Sequence, residues 1–98
     1  MFIVKRMPEF DDWLAGIKGG LTARRSQVRL RKATLGNLGD VKPVGHGVWE
    51  MREFFGPGWR MDDVRRGTAL IVMLGGGDKS MQSVDIARPV ALAATLED

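Results

Sequence analysis

An uninterrupted apolar run at residues 69–74 constrains the fold of this chain most strongly. It reads Ala-Leu-Ile-Val-Met-Leu and lies between Gly67 and three consecutive glycines at residues 75–77. The run is far shorter than the roughly 18 apolar residues that a membrane-spanning helix needs. Its length and its glycine boundaries are typical of a central β-strand whose two faces are both covered. With 98 residues in total, the chain is expected to form one domain, residues 1–98.

Composition excludes several classes of protein. Hydrophobic residues make up 44% and charged residues 28% of the chain, which is typical of a globular domain. Without cysteine there is no disulfide framework and no cysteine-ligated zinc, and His46 is the one histidine. The N-terminal residues meet a charge at Lys5, so we expect no secretory leader. These observations predict a cytoplasmic protein without membrane contact, metal or other cofactor.

The first third of the chain predicts a strand and a helical hairpin. Residues 2–5 favour a strand. Pro8 suits the first position of a helix, although Met7 offers no capping side chain, and Gly19 and Gly20 end that helix. A second helix is expected from Thr22 to about Leu35. Its apolar face would carry Leu21, Val28 and Leu35 at seven-residue intervals, with Ala23, Leu30 and Ala33 nearby. Its opposite, solvent face would carry Arg25, Arg29 and Lys32.

The remainder predicts an α+β domain. Residues 36–47 are expected to be a loop because they contain four glycines and a proline. Three strands are then predicted at residues 48–55, 59–66 and 69–74, followed by a helix from about residue 81 to 96 that is kinked or restarted at Pro89. The order β-α-α-β-β-β-α predicts an antiparallel sheet with the helical hairpin on one face. The other face would be open to a ligand.

Charge is unevenly distributed along the chain. Residues 18–42 contain seven basic side chains and one acidic side chain, Asp40, whereas residues 50–98 contain six basic and eight acidic ones. A basic segment of this kind favours a polyanionic or acidic partner. A solvated helix face would give the same composition.

Three cations could form a phosphate-binding site. Arg52 and Arg60 are expected on neighbouring strands, and Lys79 follows the three glycines. If these cations converge, two arginine forks and an ammonium group would match phosphate oxygens. The segment around Lys79 is not a nucleotide-hydrolysing phosphate loop, because Asp78 replaces the required glycine and the preceding strands form hairpins.

Two other side chains have alternative uses. His46 lies in a glycine-flanked loop and could be a general base or merely solvated. Trp59 could stack on a base or belong to the core.

Three blocks in order resemble one family. They are Gly-Asn-Leu-Gly-Asp-Val-Lys-Pro-Val-Gly at residues 36–45, Glu-Met-Arg at 50–52 with Phe-Gly-Pro-Gly-Trp-Arg at 55–60, and Gly-Gly-Asp-Lys-Ser at 76–80 with Asp-Ile-Ala at 85–87. Together they resemble the RelE/HigB-like toxins of bacterial type II toxin–antitoxin systems, in the phage-derived Gp49-like "addiction module killer" branch. The resemblance extends over nearly the whole chain.

The resemblance implies a RelE/ParE-like fold and a ribosome-dependent endoribonuclease that cuts mRNA by attack of a ribose 2′-hydroxyl on the adjacent phosphate. It implies no cofactor. The implied partners are a helix-turn-helix antitoxin, the ribosome and mRNA. The implied catalytic residues are Arg60, Lys79 and Arg52, with His46 and Asp78 as auxiliary candidates. The implied RNA-binding residues are Arg25, Arg29, Lys32, Lys42 and Trp59.

One segment departs from the family pattern. Where the family continues with apolar or aromatic residues, this chain has Met61, Asp62 and Asp63. Asp62 is expected on the side of Arg60, where it would pair with that arginine and repel phosphate; Asp63 would point to the opposite face. The hypothesis is therefore a weakened or inactivated toxin. Two alternatives stay open: a ParE-like toxin that inhibits DNA gyrase, and a catalytically silent homologue that binds only the antitoxin.

Overall fold

The structure is a computed structural model, and it describes residues 2–53, 58–78 and 87–96. The elements in chain order are β1 (Ile3–Arg6), α1 (Pro8–Ala15), α2 (Gly20–Thr34), β2 (Val41–Gly45), β3 (Val48–Glu53), β4 (Trp59–Arg66), β5 (Leu70–Asp78) and α3 (Ala87–Ala94). The predicted α+β class is confirmed. No helix within these residues is long and apolar enough to cross a membrane.

The five strands form one mixed sheet in the order β1-β5-β4-β3-β2. The predicted all-antiparallel sheet is wrong at one pair, because β1 runs parallel to β5, with Ile3 opposite Leu70 and Arg6 opposite Met73. The other neighbouring strands are antiparallel. The helical hairpin returns the chain across the sheet, so β1 pairs with the apolar strand β5 rather than with the next strand in sequence.

Apolar layers cover both faces of β5, as the run at residues 69–74 predicted. The first layer joins α1 and α2 to the sheet and comprises Phe10, Leu14, Leu30, Ala33, Met51, Met61, Ile71 and Met73. The second comprises Val48, Val64, Val72, Leu74 and Ala93. The predicted helical hairpin on one face is confirmed. The expected open face is wrong, because Ala93 of α3 packs on it.

Residues 36–47 are not one loop, which corrects the prediction. Val41–Gly45 forms β2 and pairs with β3 in an antiparallel hairpin. Pro43 is compatible with a strand here because β2 lies at the sheet edge. The hairpin turn is His46 and Gly47, with φ of 55° and 78°. Positive φ at both central residues is typical of the tight turns that match strand twist.

The ends of the helices follow local chemistry. Met7 caps α1 without a side-chain hydrogen bond, as its sequence predicts. Pro89 lies in the first turn of α3, where a missing N–H does not break the helix ladder. The predicted kink or restart at Pro89 stays a prediction. The expected helical residues before Ala87 lie outside the described residues.

Candidate functional site

Strands β3 and β4 bring together four charged side chains, here called the charge cluster: Glu50, Arg52, Arg60 and Asp62. Arg52 lies opposite Arg60, and Glu50 lies opposite Asp62. Because alternate strand residues share a face, all four lie on the α3 side of the sheet. The expected proximity of Arg52 and Arg60 is confirmed.

The centre of the charge cluster is buried. Arg60 is 1% exposed, Asp62 2% and Glu50 0%. Arg60 Nη1 donates a hydrogen bond to Asp62 Oδ2 in an ion pair, which confirms the predicted pairing. The attraction between these two charges opposes the cost of removing both of them from water.

Burial perturbs the titration of Asp62. It raises the pKa of Asp62 from 3.8 to about 6, against the charge and hydrogen bond of Arg60, which lower it; Glu50 and Asp63 add to the rise. Asp62 Oδ1 is buried and accepts no hydrogen bond within the described residues. The ion pair therefore offsets only part of the cost of burying this carboxylate.

Asp63 lies on the opposite face of the sheet, as alternation predicts. Its Oδ1 accepts a hydrogen bond from Arg65 Nε at 3.4 Å, and the Arg65 guanidinium stacks 4.1 Å from the centre of the Trp49 ring. Burial raises the pKa of Asp63 to about 6, and the Arg65 charge and hydrogen bond oppose that rise. The sequence interpretation did not anticipate Arg65 as a partner.

Arg52 forms an ion pair with Asp40, which lies outside the charge cluster. Its Nη2 donates to Asp40 Oδ1 at 3.2 Å, and its backbone N–H donates to the Asp40 carbonyl at 3.0 Å. The side chain is 27% exposed. Arg52 is thus more accessible than Arg60, and it ties β3 to the residue that precedes β2.

A cavity of about 360 Å³ reaches the ion pair from the α1 side of the sheet edge. It is lined by Glu9, Asp12, Trp13, Arg60, Asp62, Gly75 and Gly76. The sequence interpretation missed this cavity. The sequence feature that could have indicated the cavity is the run of glycines at residues 75–77, because strand residues without side chains leave space beside the backbone.

Gly76→Ala is expected to destabilise the fold by roughly 1–3 kcal/mol. A Cβ at Gly76 would lie 2.5 Å from Trp13 Cε2, so the indole ring would have to move. Gly75→Ala is the matched control, because a Cβ there meets nothing within 4 Å. Urea unfolding followed by tryptophan fluorescence measures both. Equal stability of the two variants would contradict the close Gly76–Trp13 packing.

The predicted basic face of α2 needs one correction. Arg25 and Lys32 are exposed, but Arg29 is buried at 7% exposure. Arg29 hydrogen-bonds the carbonyls of Leu38 and Arg52 and the carboxylate of Glu53. Its placement on the solvent face is wrong, because these acceptors lie beneath the helix. The RNA contacts of Arg25 and Lys32 stay predictions.

The other predicted site residues are scattered. Lys42 is exposed on the edge strand β2, and His46 is exposed in the β2–β3 turn. Trp59 is half-buried and lines a cavity of about 440 Å³ with Trp13. Asp78 ends β5 opposite Trp59. Lys79 lies outside the described residues, so its convergence with the arginines stays a prediction. No group of three acidic or histidine side chains suited to a metal ion occurs among the described residues.

Comparison with known proteins identifies a relative over nearly the full length. The chain is 34% identical over 93 residues to an uncharacterized protein of Haemophilus influenzae, covering 95% of this chain and 94% of that protein. No model of a protein family and no solved structure matches the chain. The chain therefore belongs to the same family as the uncharacterized Haemophilus influenzae protein.

Proposed function

We propose that the chain is a RelE/HigB-like toxin, a ribosome-dependent mRNA endoribonuclease of the cytoplasm, whose cutting activity is weakened by Asp62. Two features support the proposal. The three sequence blocks resemble that family in order and spacing. The α+β architecture, with a helical hairpin on one face of the sheet, is the architecture that the resemblance implies.

The reaction places specific demands on the side chains. A ribose 2′-oxygen attacks the neighbouring phosphorus, the bond to the 5′-oxygen of the next nucleotide breaks, and a 2′,3′-cyclic phosphate remains. Negative charge accumulates on the phosphoryl oxygens in the transition state, and fixed cations stabilise it. Arg60 is the main candidate for this role, with Arg52 and Lys79 beside it. The ribosome would hold the mRNA in line for attack.

The observation that carries the proposal is the buried Arg60–Asp62 ion pair. Arg60 occupies the family position for phosphate stabilisation, and the cavity of about 360 Å³ leads to it. In this chain, however, Asp62 already holds the guanidinium. An ionised Asp62 would also repel an incoming phosphate. This repulsion would slow the cutting of mRNA without changing the kind of reaction.

Asp62→Asn is expected to raise the rate of mRNA cutting at least about tenfold at neutral pH, because the competing negative charge is removed. Purified variants are added to a reconstituted translation reaction, and mRNA 5′ ends are mapped over time. Codon-phased cuts that accumulate faster with the asparagine variant are the expected result.

The matched control is Asp63→Asn, which changes the same residue type on the opposite face and should leave the cutting rate within about twofold. Adding Arg60→Ala to Asp62→Asn should abolish the gain. An Asp62→Asn variant that folds and binds ribosomes but cuts no faster than the parent chain would refute the proposed inhibition.

A catalytically silent homologue that binds only a helix-turn-helix antitoxin is the second candidate. The observation in its favour is the 1% exposure of Arg60, which leaves little guanidinium surface for contact with RNA. Absence of cuts from every variant, together with binding of the antitoxin, would favour this candidate. A gyrase supercoiling assay run in parallel tests the ParE-like alternative.

A further inference from the structure

The outer surface of α2 carries an exposed apolar stripe, formed by Leu21, Val28 and Leu35. These side chains are 56%, 49% and 69% exposed. These three side chains were predicted to face the core. They face solvent instead, because Leu30 and Ala33 are the helix residues that contact the sheet. The seven-residue spacing places these three aliphatic side chains along one line of the helix surface, with basic side chains on the turns between them.

The stripe borders two grooves. The larger has a volume of about 370 Å³ and lies between α2 and the end of β3, with Leu21 and Val28 on its wall and the Arg29–Glu53 ion pair within its lining. The second, of about 320 Å³, lies on the other side of Val28 and includes Leu30. Both grooves combine aliphatic side chains with basic ones, so they can accept apolar side chains of a partner that also carries negative charge.

The charge around the stripe is mainly positive. The helix Gly20–Thr34 contains no acidic residue. Its exposed basic residues beside the grooves are Arg24, Arg25, Arg31 and Lys32. Glu53, the acidic residue of the larger groove, is engaged by Arg29 at 2.9 Å. A partner that binds this surface therefore needs negative charge as well as apolar side chains.

We propose that this face of α2 docks an acidic amphipathic helix of a partner protein. Apolar side chains at helical spacing would enter the grooves beside Val28 and Leu21, and carboxylates would pair with the basic rim. A second copy of this chain does not fit, because two such helices would place their arginines against each other. RNA would satisfy the basic rim but not the aliphatic stripe. The inference stands independently of the toxin proposal.

The test uses a fluorescein-labelled 20-residue peptide of leucine, alanine and glutamate with leucine at positions i, i+3, i+4 and i+7, titrated with the full chain by fluorescence anisotropy. Saturable binding that weakens with added salt is expected. Val28→Asp should raise the Kd at least about tenfold, because it places a charge in the apolar contact and repels the peptide's carboxylates.

Ile3→Asp is the matched control. Ile3 is an exposed aliphatic residue of β1 at 62% exposure and lines neither groove, so its replacement should leave the Kd within about twofold. A peptide of identical composition in scrambled order should bind at least about tenfold more weakly. Val28→Ala, which retains an apolar surface, should give an intermediate Kd and guards against misfolding of the aspartate variant.

Three results would overturn the inference. The scrambled peptide could bind as tightly as the amphipathic one, or Val28→Asp could leave the Kd unchanged. In the third result, the peptide fails to bind, but the parent chain binds anionic phosphatidylserine vesicles or a single-stranded RNA oligonucleotide. The Val28→Asp substitution then weakens that binding. Concentration-dependent dimerisation abolished by Val28→Asp, without peptide binding, would assign the stripe to a second copy.

Discussion

Replacing Asp62 and Asp63 together by asparagine is expected to raise the free energy of unfolding at pH 8, by at most about 6 kcal/mol. Each carboxyl has its pKa raised from 3.8 to about 6, with burial as the largest cause. Asparagine has the shape of the protonated acid and removes the charge that burial disfavours. Urea unfolding at pH 4.5, 6 and 8, followed by tryptophan fluorescence, measures the difference.

The same shifts fix the direction of the pH dependence. Between about pH 4 and pH 6 the folded chain binds more protons than the unfolded chain, because its two acids have raised pKa values. The parent chain should therefore lose stability as the pH rises through this window. The double variant should show a clearly smaller loss. A parent chain whose stability rises from pH 4.5 to pH 8 would contradict the assignment.

Asp12→Asn is the control for this pair. Asp12 is exposed on α1, and its replacement should change stability by less than about 0.5 kcal/mol at each pH. The single variants then separate the two sites. Asp62→Asn removes the ion-pair partner of Arg60, so its gain should be smaller than that expected for a buried carboxyl without an ion pair.

Arg29→Ala is expected to destabilise the fold by about 3–5 kcal/mol, because it removes a buried guanidinium that is the common donor of several partly buried hydrogen bonds. Arg29 Nη1 donates to the Arg52 carbonyl at 2.7 Å and to Glu53 Oε1 at 2.9 Å, and Nη2 donates to the Asp40 carbonyl at 2.7 Å. The Leu38 carbonyl accepts from Nε and Nη2 at 3.0 and 2.8 Å. Thermal and urea unfolding measure the loss.

Arg25→Ala provides the comparison, because Arg25 is exposed one helical turn earlier on α2. Its effect should stay below about 0.5 kcal/mol. Arg29→Lys should fall between the two, since one ammonium group cannot reproduce a planar fork that spans separate carbonyls. Similar stabilities for Arg29→Ala and Arg25→Ala would rule out a structural role for Arg29.

The strands were largely predictable because their signals are local. The apolar run at residues 69–74 identified a strand with two covered faces, and alternation along β4 placed Arg60 and Asp62 together. The segment containing β2 was misread because Pro43 is a loop signal in isolation. Its compatibility with a strand depends on lying at the sheet edge, which only the finished sheet order defines.

Helix α2 was predictable in extent but not in orientation. The helix carries two apolar stripes, one with Leu30 and Ala33 and one with Leu21, Val28 and Leu35. Periodicity identifies both stripes and does not decide which one contacts the sheet. The orientation of the helix is decided by the hydrogen bonds that Arg29 donates to the carbonyl groups of residues distant in sequence. For the same reason, the burial of Glu50 and the cavity beside Gly76 were not readable from sequence.

The parallel pairing of β1 with β5 joins the first strand to the last strand that the structure describes. The β2–β3–β4 meander and the helical hairpin involve neighbours in sequence and can form early, whereas β1 must wait for nearly the whole chain. During synthesis the N-terminal strand therefore leaves the ribosome long before its partner. Until β5 emerges, the apolar layer beneath the hairpin lacks Ile71 and Met73, and completion of the fold depends on closing this long loop.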